Sequence, residues 1–122
     1  MEFKLPYPIS ANTYWRKTNR GIVYLSPAGQ KYKDIVIKNY KFANKPSDAL
    51  LAMEIIIHPV LTKKGLPSKK LIDIDNGNKC ILDSMIGIFY IDDKQIKDLH
   101  IKYGEPVSKG AVTIKINNFI KD

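Results

Sequence analysis

The sequence predicts an α+β fold: a single domain with one mixed or antiparallel sheet and two main helices. Its length of 122 residues, with 44% hydrophobic and 26% charged residues, is typical of one globular domain spanning 1–122. Apolar residues recur at helical spacing in two segments and follow strand patterns in several others. Because no repeat or linker divides the chain, we expect all elements to share one core.

In the first half of the chain, prolines and apolar patterns mark the predicted elements. Ser26 followed by Pro27 supplies an N-cap and a first-turn proline, so a helix begins there. The β-branched run that ends at Pro59 has the length of a buried strand. In chain order, the predictions begin with a strand at Phe3 and Leu5 and an extended loop over 6–12 that continues through 16–21 and has turn character at Arg20-Gly21. Residues 22–25 then form either the second arm of a hairpin or a short strand, followed by a helix over 27–43 and a strand over 50–58.

The second half of the chain contains the second helix and two further strands. Apolar residues at helical spacing predict an amphipathic helix over 78–89. A turn over 92–93 follows it. Alternating patterns then predict strands over 96–103 and 111–116. We expect both main helices to cover the same face of the sheet.

The charge of the chain indicates a polyanionic partner. Twenty Lys and Arg against twelve Asp and Glu give a net charge of +8, which favours binding to nucleic acid. Six of the twelve acids nevertheless lie within 26 residues, and carboxylates repel phosphates. A hard divalent cation held by carboxylates and phosphate oxygens would reconcile the two, although a solvated acidic loop is the alternative. The six are Asp73, Asp75, Asp83, Asp92, Asp93 and Asp98.

The remaining residue types exclude several kinds of site. Cys80 stands alone beside two histidines, which rules out an intramolecular disulfide and a Cys/His zinc site, so any metal must be bound by oxygen. An EF-hand loop starting at Asp73 would need Gly and Glu where the chain has Asn78 and Ser84. The longest apolar run, 50–57, is interrupted by Glu54 and is far shorter than the roughly 20 residues of a membrane span. Since the N-terminus also lacks a secretory signal, we expect a cytoplasmic protein without a membrane partner.

Two aspartates and a lysine in the middle of the chain have the spacing of a metal-dependent phosphodiesterase site. In an extended segment, Asp73 and Asp75 point to the same side because side chains alternate. If the second helix begins near Asn76, Lys79 lies about one turn beyond Asp75, within reach of a phosphate held by the same carboxylates. The acidic pair at 92–93 follows this helix, so the chain can return one of its carboxylates to the site. The alternative is that these aspartates have only a structural role, since both acidic segments also resemble turns or helix caps.

A basic and aromatic segment near the N-terminus suits nucleic-acid binding. Two aromatic rings offer stacking surfaces and the adjacent cations neutralise phosphates, a combination typical of contacts with unpaired or distorted strands. The alternative is that the rings pack in the core beside a solvated loop. The candidate nucleic-acid-binding residues are Tyr14, Trp15, Arg16, Lys17 and Arg20, together with Lys69 and Lys70 in a basic loop before the acidic segment.

Taken together, these segments resemble the RusA-type crossover junction endodeoxyribonucleases, a family that resolves four-way Holliday junctions and is often carried by prophages. The N-terminal signature is similar in residues 5–12 and in the aromatic pair that follows, and the entry to the first helix is similar in residues 25–32. The most specific part is the central motif, Asp73-Ile74-Asp75-Asn76, then Lys79, then Asp92-Asp93. The resemblance covers nearly the whole chain.

The resemblance implies a hydrolase with a RusA-like fold that makes paired symmetric nicks in four-way junction DNA during recombination and repair. It implies Mg²⁺ as the cofactor, with Mn²⁺ as a substitute, and no small-molecule cofactor. It also implies a homodimer, which agrees with the need for two equivalent sites to cut two opposed strands symmetrically. The implied metal ligands are Asp73, Asp75 and Asp93, with Asp92 as a further candidate, and the implied catalytic residues are these three aspartates and Lys79.

Two alternative functions remain open from the sequence. A nuclease that acts on other branched DNA would use the same chemistry on a different substrate. A non-catalytic protein that binds DNA junctions would need the acidic cluster only for its structure, and it would show no metal-dependent activity.

Overall fold

The structure of the protein, a computed structural model, describes residues 1–41, 45–66 and 74–120, and for residues 74 and 75 the backbone only. These ranges form a four-stranded sheet, a two-stranded sheet and three α-helices. The predicted α+β fold, with one mixed sheet and two main helices, is confirmed. The elements are β1 (Glu2–Leu5), α1 (Ala11–Tyr14), β2 (Trp15–Lys17), β3 (Val23–Leu25), α2 (Pro27–Tyr40), β4 (Leu51–His58), α3 (Ile74–Ser84), a 3₁₀ turn (Asp93–Gln95), β5 (Ile96–Tyr103) and β6 (Ala111–Asn118).

The larger sheet has the strand order β1-β6-β4-β5 and provides one face of the core. β4 pairs antiparallel with β6 and parallel with β5, while β1 pairs antiparallel with β6. Along β4, Leu51, Met53, Ile55 and Ile57 are buried and the residues between them are partly exposed, as expected for a strand that is covered on one side. The predicted bounds of β5 are confirmed, and β6 extends two residues beyond the predicted end.

α2 and α3 supply the apolar side chains that pack with this sheet face. α2 contributes Tyr32 and Val36 to the buried cluster, and α3 contributes Cys80 and Ile81. Parallel strands need a connection that crosses the sheet, and α3 lies in the connection between β4 and β5. The buried side of α3 is therefore fixed against the core, whereas Lys79 on the same helix is exposed. Within the described ranges, no helix has both the length and the apolar character needed to cross a membrane.

The start of α2 follows the sequence signal. The Ser26 Oγ atom accepts a hydrogen bond from the Gly29 backbone N at 2.9 Å, and Pro27 occupies the first turn. The Ser26 backbone N donates to the Tyr14 carbonyl oxygen at 2.9 Å, so the same residue ties α2 to the end of α1. α2 ends at Tyr40, and the last predicted helical positions fall among residues 42–44, outside the described residues.

The loop predicted over 6–12 is partly wrong, because α1 begins at Ala11. Ser10 caps this single turn by accepting a hydrogen bond from the Thr13 backbone N at 3.3 Å. A helix of four residues is too short to show the apolar period from which helices are predicted. Of the two alternatives for 22–25, the hairpin is the one that forms: β2 pairs antiparallel with β3, with Gly21 in the left-handed region at φ 84° in the turn. Its first arm includes Arg16 and Lys17, which were predicted to continue the loop. It forms a separate small sheet instead of joining the main one.

The second main helix lies earlier in the chain than predicted. α3 spans Ile74–Ser84, whereas the apolar period predicted 78–89. Gly87 adopts φ 85°, and its backbone N donates to the Tyr90 carbonyl oxygen at 2.7 Å, which closes a turn where the helix was expected to continue. The Tyr90 hydroxyl also donates to the Leu82 carbonyl oxygen at 2.6 Å, in the last turn of α3. Phe89 is buried nonetheless, which is why its position fitted a helical apolar stripe.

Candidate active site and nucleic-acid surface

The first part of the candidate site is carried by α3. Because α3 begins at Ile74, the expectation of an extended segment through residue 75 is wrong, and Asp75 lies in the first turn of the helix. Lys79 follows one turn later, as predicted, and its side chain is exposed. Asp73 lies outside the described residues. The spacing between positions 75 and 79 is therefore helical, which fixes the backbone relation of the two predicted site residues.

Asp83, near the end of α3, joins the three helices. The Tyr14 hydroxyl at the end of α1 donates a hydrogen bond to Asp83 Oδ2. Lys33 of α2 places its Nζ atom 4.0 Å from the same oxygen. The side chain of Asp83 is about one quarter exposed, so it lies at the boundary between the core and solvent. Asp83, which lies one turn beyond Lys79, thus couples the position of α3 to the packing of α1 and α2.

Tyr14 is a core residue, so the prediction that its ring offers a stacking surface for nucleic acid is wrong. Its side chain is fully buried in the apolar cluster. Burial raises the pKa of the Tyr14 hydroxyl well above its ordinary value, and the hydrogen bond to Asp83 and the Asp83 charge raise it further. The hydroxyl therefore stays protonated and acts as a permanent donor to the carboxylate.

The acidic pair after α3 lies at the start of the 3₁₀ turn. The Asp92 Oδ1 atom accepts a hydrogen bond from the Lys94 backbone N at 2.9 Å, and the Asp92 backbone N donates to Gln95 Oε1 at 2.9 Å. Gln95 Nε2 donates in turn to the Ser47 carbonyl oxygen at 2.8 Å, which holds the turn against the segment that enters β4. One oxygen of Asp92 is therefore already used as a helix cap.

The electrostatics of the two aspartates differ. Partial burial raises the pKa of Asp93, and the hydrogen bond and negative charge of Asp92 and the charge of Asp83 raise it further. The hydrogen bond from the Lys94 backbone lowers the pKa of Asp92, and the bond with Asp93 lowers it further. The buried hydroxyl of Tyr90 also has a raised pKa, chiefly from burial and then from the charges of Asp93 and Asp83. The carboxylates of Asp93 in the 3₁₀ turn and of Asp83 in α3 therefore act on one common region, around the Tyr90 hydroxyl.

The donor chemistry of this region fits a hard divalent cation. Carboxylate oxygens are the ligands that Mg²⁺ prefers, and a bound cation would relieve the repulsion between the acids near Asp93. In the part of the chain whose side chains are described, no three Asp, Glu, His or Cys residues form a ready metal-binding group. The predicted ligands Asp73 and Asp75 lie outside that part, so the full set remains a prediction.

A groove between the hairpin and α3 contains several of the predicted nucleic-acid-binding residues. This hairpin groove has a volume of about 380 Å³ and is lined by Trp15, Arg16, Lys17 and Lys79 among others. Trp15 is half-buried, whereas the two cations beside it on β2 are exposed. Arg20 is exposed in the hairpin turn and does not line the groove. The predicted contacts Lys69 and Lys70 lie outside the described residues.

Asp83 and its partner Lys33 were not among the predicted site residues. The available signal was helical spacing, because Asp83 lies four residues after Lys79 and eight after Asp75, positions that share one helix face. The signal is visible only once α3 is known to include all three residues. The pairing with Tyr14 joins positions 69 residues apart in the chain, and no local pattern indicates it.

A groove lined by exposed cations suits the binding of phosphates in a nucleic acid. Comparison with known proteins identifies the family: residues 6–117 match the family model of endodeoxyribonuclease RusA, and the chain belongs to this family. The chain is 36% identical over 119 residues to the crossover junction endodeoxyribonuclease of Enterobacteria phage HK97, which covers 94% of this chain and 92% of the relative.

Further relatives carry the same name. The crossover junction endodeoxyribonuclease of Escherichia coli strain K12 is 36% identical over 108 residues, which is 88% of this chain and 84% of the relative. The corresponding enzyme of Enterobacteria phage 82 is 35% identical over 108 residues. The family predicted from the sequence motifs is therefore confirmed.

Proposed function

We propose that this protein is a divalent-metal-dependent endodeoxyribonuclease that resolves four-way DNA junctions by paired symmetric nicks, acting on DNA in the cytoplasm. The observation that carries the proposal is the family match over residues 6–117, together with relatives named as crossover junction endodeoxyribonucleases along nearly their whole length. The basic hairpin groove beside Lys79 supports it, because a nuclease needs cations for the DNA backbone next to its reacting groups.

The residues that would hold the cation, in this proposal, are Asp73, Asp75 and Asp93, with Mg²⁺ as the metal and Mn²⁺ as a substitute. Asp93 is preferred over Asp92, because one Asp92 oxygen already accepts the Lys94 backbone hydrogen bond. A bound divalent cation supplies Lewis-acid polarisation of the phosphate and an activated water. Asp93, with its pKa raised by burial and by Asp92, gains most from a positive charge placed beside it.

Lys79 is the proposed stabiliser of charge on the phosphate. Its ammonium group is exposed at the hairpin groove, one helical turn after Asp75. A fixed cation beside the reacting phosphate lowers the barrier by neutralising the negative charge that develops on oxygen. The buried side of α3, together with the contact between Asp83 and Tyr14, holds the helix that carries this lysine.

The surrounding cations are the proposed contacts to the junction arms. Each phosphate that they neutralise releases counterions, so the net charge of +8 favours binding most strongly at low salt. Trp15 adds a ring at the edge of this surface. The proposed contacts are Trp15, Arg16, Lys17, Arg20, Lys69 and Lys70.

We further propose a homodimer as the active form. Symmetric nicks in two opposed strands require two equivalent active sites, and a two-fold dimer provides them with the correct relation. Sedimentation at micromolar concentration, with and without junction DNA, measures this directly. A monomer that still makes paired nicks on a junction would contradict the dimer.

The test of the function is cleavage of a synthetic mobile four-way junction beside a linear duplex of the same sequence. We expect paired symmetric nicks with Mg²⁺ and none with a chelator. Asp75→Asn and Asp93→Asn should abolish cutting but retain junction binding, because an amide lacks the charge that holds the cation. Lys79→Ala should slow cutting on the order of 100-fold, since it removes one stabilising charge.

Asp98→Asn is the matched control, because it removes the same charge from the exposed strand β5. Cleavage by this variant should equal that of the wild type. Tight junction binding without nicks in Mg²⁺ or Mn²⁺ would replace the proposal with a non-catalytic junction-binding protein. Equal cutting of flaps, forks and four-way junctions would replace it with a nuclease of general branched DNA.

A further inference from the structure

The hairpin groove has the charge and size of a site for one nucleotide. Its cations come from two elements: Arg16 and Lys17 from β2, and Lys79 from α3. None of the described residues that line it carries a negative charge. The volume of about 380 Å³ falls in the range of small-ligand pockets, too small for a duplex but sufficient for a single nucleotide. The complementary ligand is therefore one phosphorylated unit of a single strand.

The ring of Trp15 is held in place at this groove. Its centroid lies 5.0 Å from that of Tyr14, with the two rings at 89°, an edge-to-face contact. Tyr14 is itself fixed by burial and by its hydrogen bond to Asp83. On the backbone, Trp15 is paired with Leu25 across the hairpin. Since the indole is already positioned before DNA binds, stacking of a base on it costs little free energy for ordering the protein.

We propose that the hairpin groove binds an unstacked nucleotide of the cleaved DNA strand, next to the phosphate that Lys79 contacts. The base stacks on Trp15, and the flanking phosphates lie against Arg16 and Lys17. Bases within a regular duplex are stacked on each other and cannot reach a side chain in this way, whereas the branch point of a junction exposes strands that can. This inference rests on the proposed function and adds where the strand at the branch point is held.

The experiment uses Trp15 as its own probe, because it is the single tryptophan of the chain. The full-length protein is titrated in a chelator with a thymidine oligonucleotide of about ten nucleotides, while indole fluorescence and the anisotropy of a labelled copy are recorded. We expect saturable quenching that follows the anisotropy. Lys17→Ala should weaken binding about 5-fold and lower the salt slope by about 0.7, the contribution of one phosphate contact to a single strand.

Lys97→Ala is the matched control, since it removes an equal charge from exposed β5, outside the groove. Its affinity should stay within about 2-fold of the wild type. Trp15→Phe keeps a smaller ring and should bind more weakly than the wild type but more tightly than Trp15→Leu. The two Trp15 variants are compared with Arg16→Ala, a change within the same groove. The Arg16 side chain is exposed, so its removal does not disturb the core.

Two outcomes would overturn the inference. One is binding of the oligonucleotide without quenching of Trp15, and the other is equal weakening by Lys17→Ala and Lys97→Ala. Failure of the proposed function gives a different result: no nicks in a junction, with saturable quenching retained. In that case the groove would stand as a single-strand site in a protein without the proposed activity.

Discussion

Tyr14 links the buried core to the Asp83 carboxylate of α3 through one hydroxyl group. Its ring is fully buried, and the hydroxyl donates to Asp83 Oδ2. A hydrogen bond to a charged group contributes about 1.5–3 kcal/mol to the free energy of unfolding when its loss leaves the charged partner without a hydrogen bond. Because Asp83 is partly exposed, water can replace part of this hydrogen bond, and the expected loss is smaller. We therefore expect Tyr14→Phe to lower the free energy of unfolding by about 1–2 kcal/mol, measured by urea denaturation.

Tyr24→Phe is the control for this prediction, because Tyr24 is 46% exposed on β3. Its effect on the free energy of unfolding should be within about 0.5 kcal/mol of zero. Unchanged stability in Tyr14→Phe would mean that Asp83 obtains equivalent hydrogen bonding from water, and that the hydroxyl does not hold α1 against α3.

Sequence reasoning at this scale identified residue types better than their environments. Both Tyr14 and Trp15 were candidates for stacking, yet one ring is in the core and the other lines the groove. The two are adjacent in the chain, and what separates them is the end of α1, where the backbone changes from a helical turn to a strand. Because that turn has no periodic signal, the sequence could not indicate which ring would be buried.

At the scale of elements, α1 and α2 approach each other closely at Gly29. A Cβ atom at this position would lie 2.5 Å from the Tyr14 carbonyl oxygen, closer than van der Waals contact allows. In a helix, alanine is more favourable than glycine by about 1 kcal/mol, but overpacking of a buried site costs about 1–3 kcal/mol. Since the clash is with backbone that cannot rotate away, we expect Gly29→Ala to reduce the free energy of unfolding and to slow junction cleavage.

Asn39→Ala tests the same gain in helix propensity without the clash, because Asn39 is exposed on α2. We expect this variant to be equal to the wild type or slightly more stable in urea denaturation, with unchanged cleavage. A more stable Gly29→Ala variant would show that α1 can move aside, and that the close contact at the end of α1 is not required.

The elements themselves were predicted well where period and end signals agreed, as in α2 with its Ser26 cap and in β4 and β5. α3 was misplaced because two different causes produce the same pattern. Its apolar positions are buried by the helix, whereas Phe89 is buried by the turn at Gly87 that follows. The order of parallel and antiparallel strands depends on contacts between distant segments, which a single sequence does not show.

At the scale of the whole molecule, burial of ionisable groups makes stability depend on alkaline pH. Burial raises the pKa of Tyr14, Tyr32 and Tyr90 well above the ordinary value, and it raises the pKa of the Cys80 thiol to about 12. Their neutral forms are therefore favoured in the native state. Below about pH 8 both the native and the unfolded chain keep nearly all of these protons, so the contribution of these groups to stability is complete.

Above about pH 10 the unfolded chain releases the tyrosine protons while the native chain retains them, so the free energy of unfolding must fall as pH rises. Each buried tyrosine adds a slope of about 1.4 kcal/mol per pH unit, and Cys80 adds a slope of the same sign from about pH 8. Urea midpoints measured from pH 8 to 11.5 should therefore decline steeply at the upper end.

Tyr32→Phe removes one buried hydroxyl proton and should reduce the slope of stability against pH. Loss of the 2.7 Å hydrogen bond from the Tyr32 hydroxyl to the Pro6 carbonyl oxygen lowers stability at every pH. Midpoints that stay constant through pH 11 would show that these hydroxyls reach solvent in the native protein, and that the three helices are not closed over the core as described.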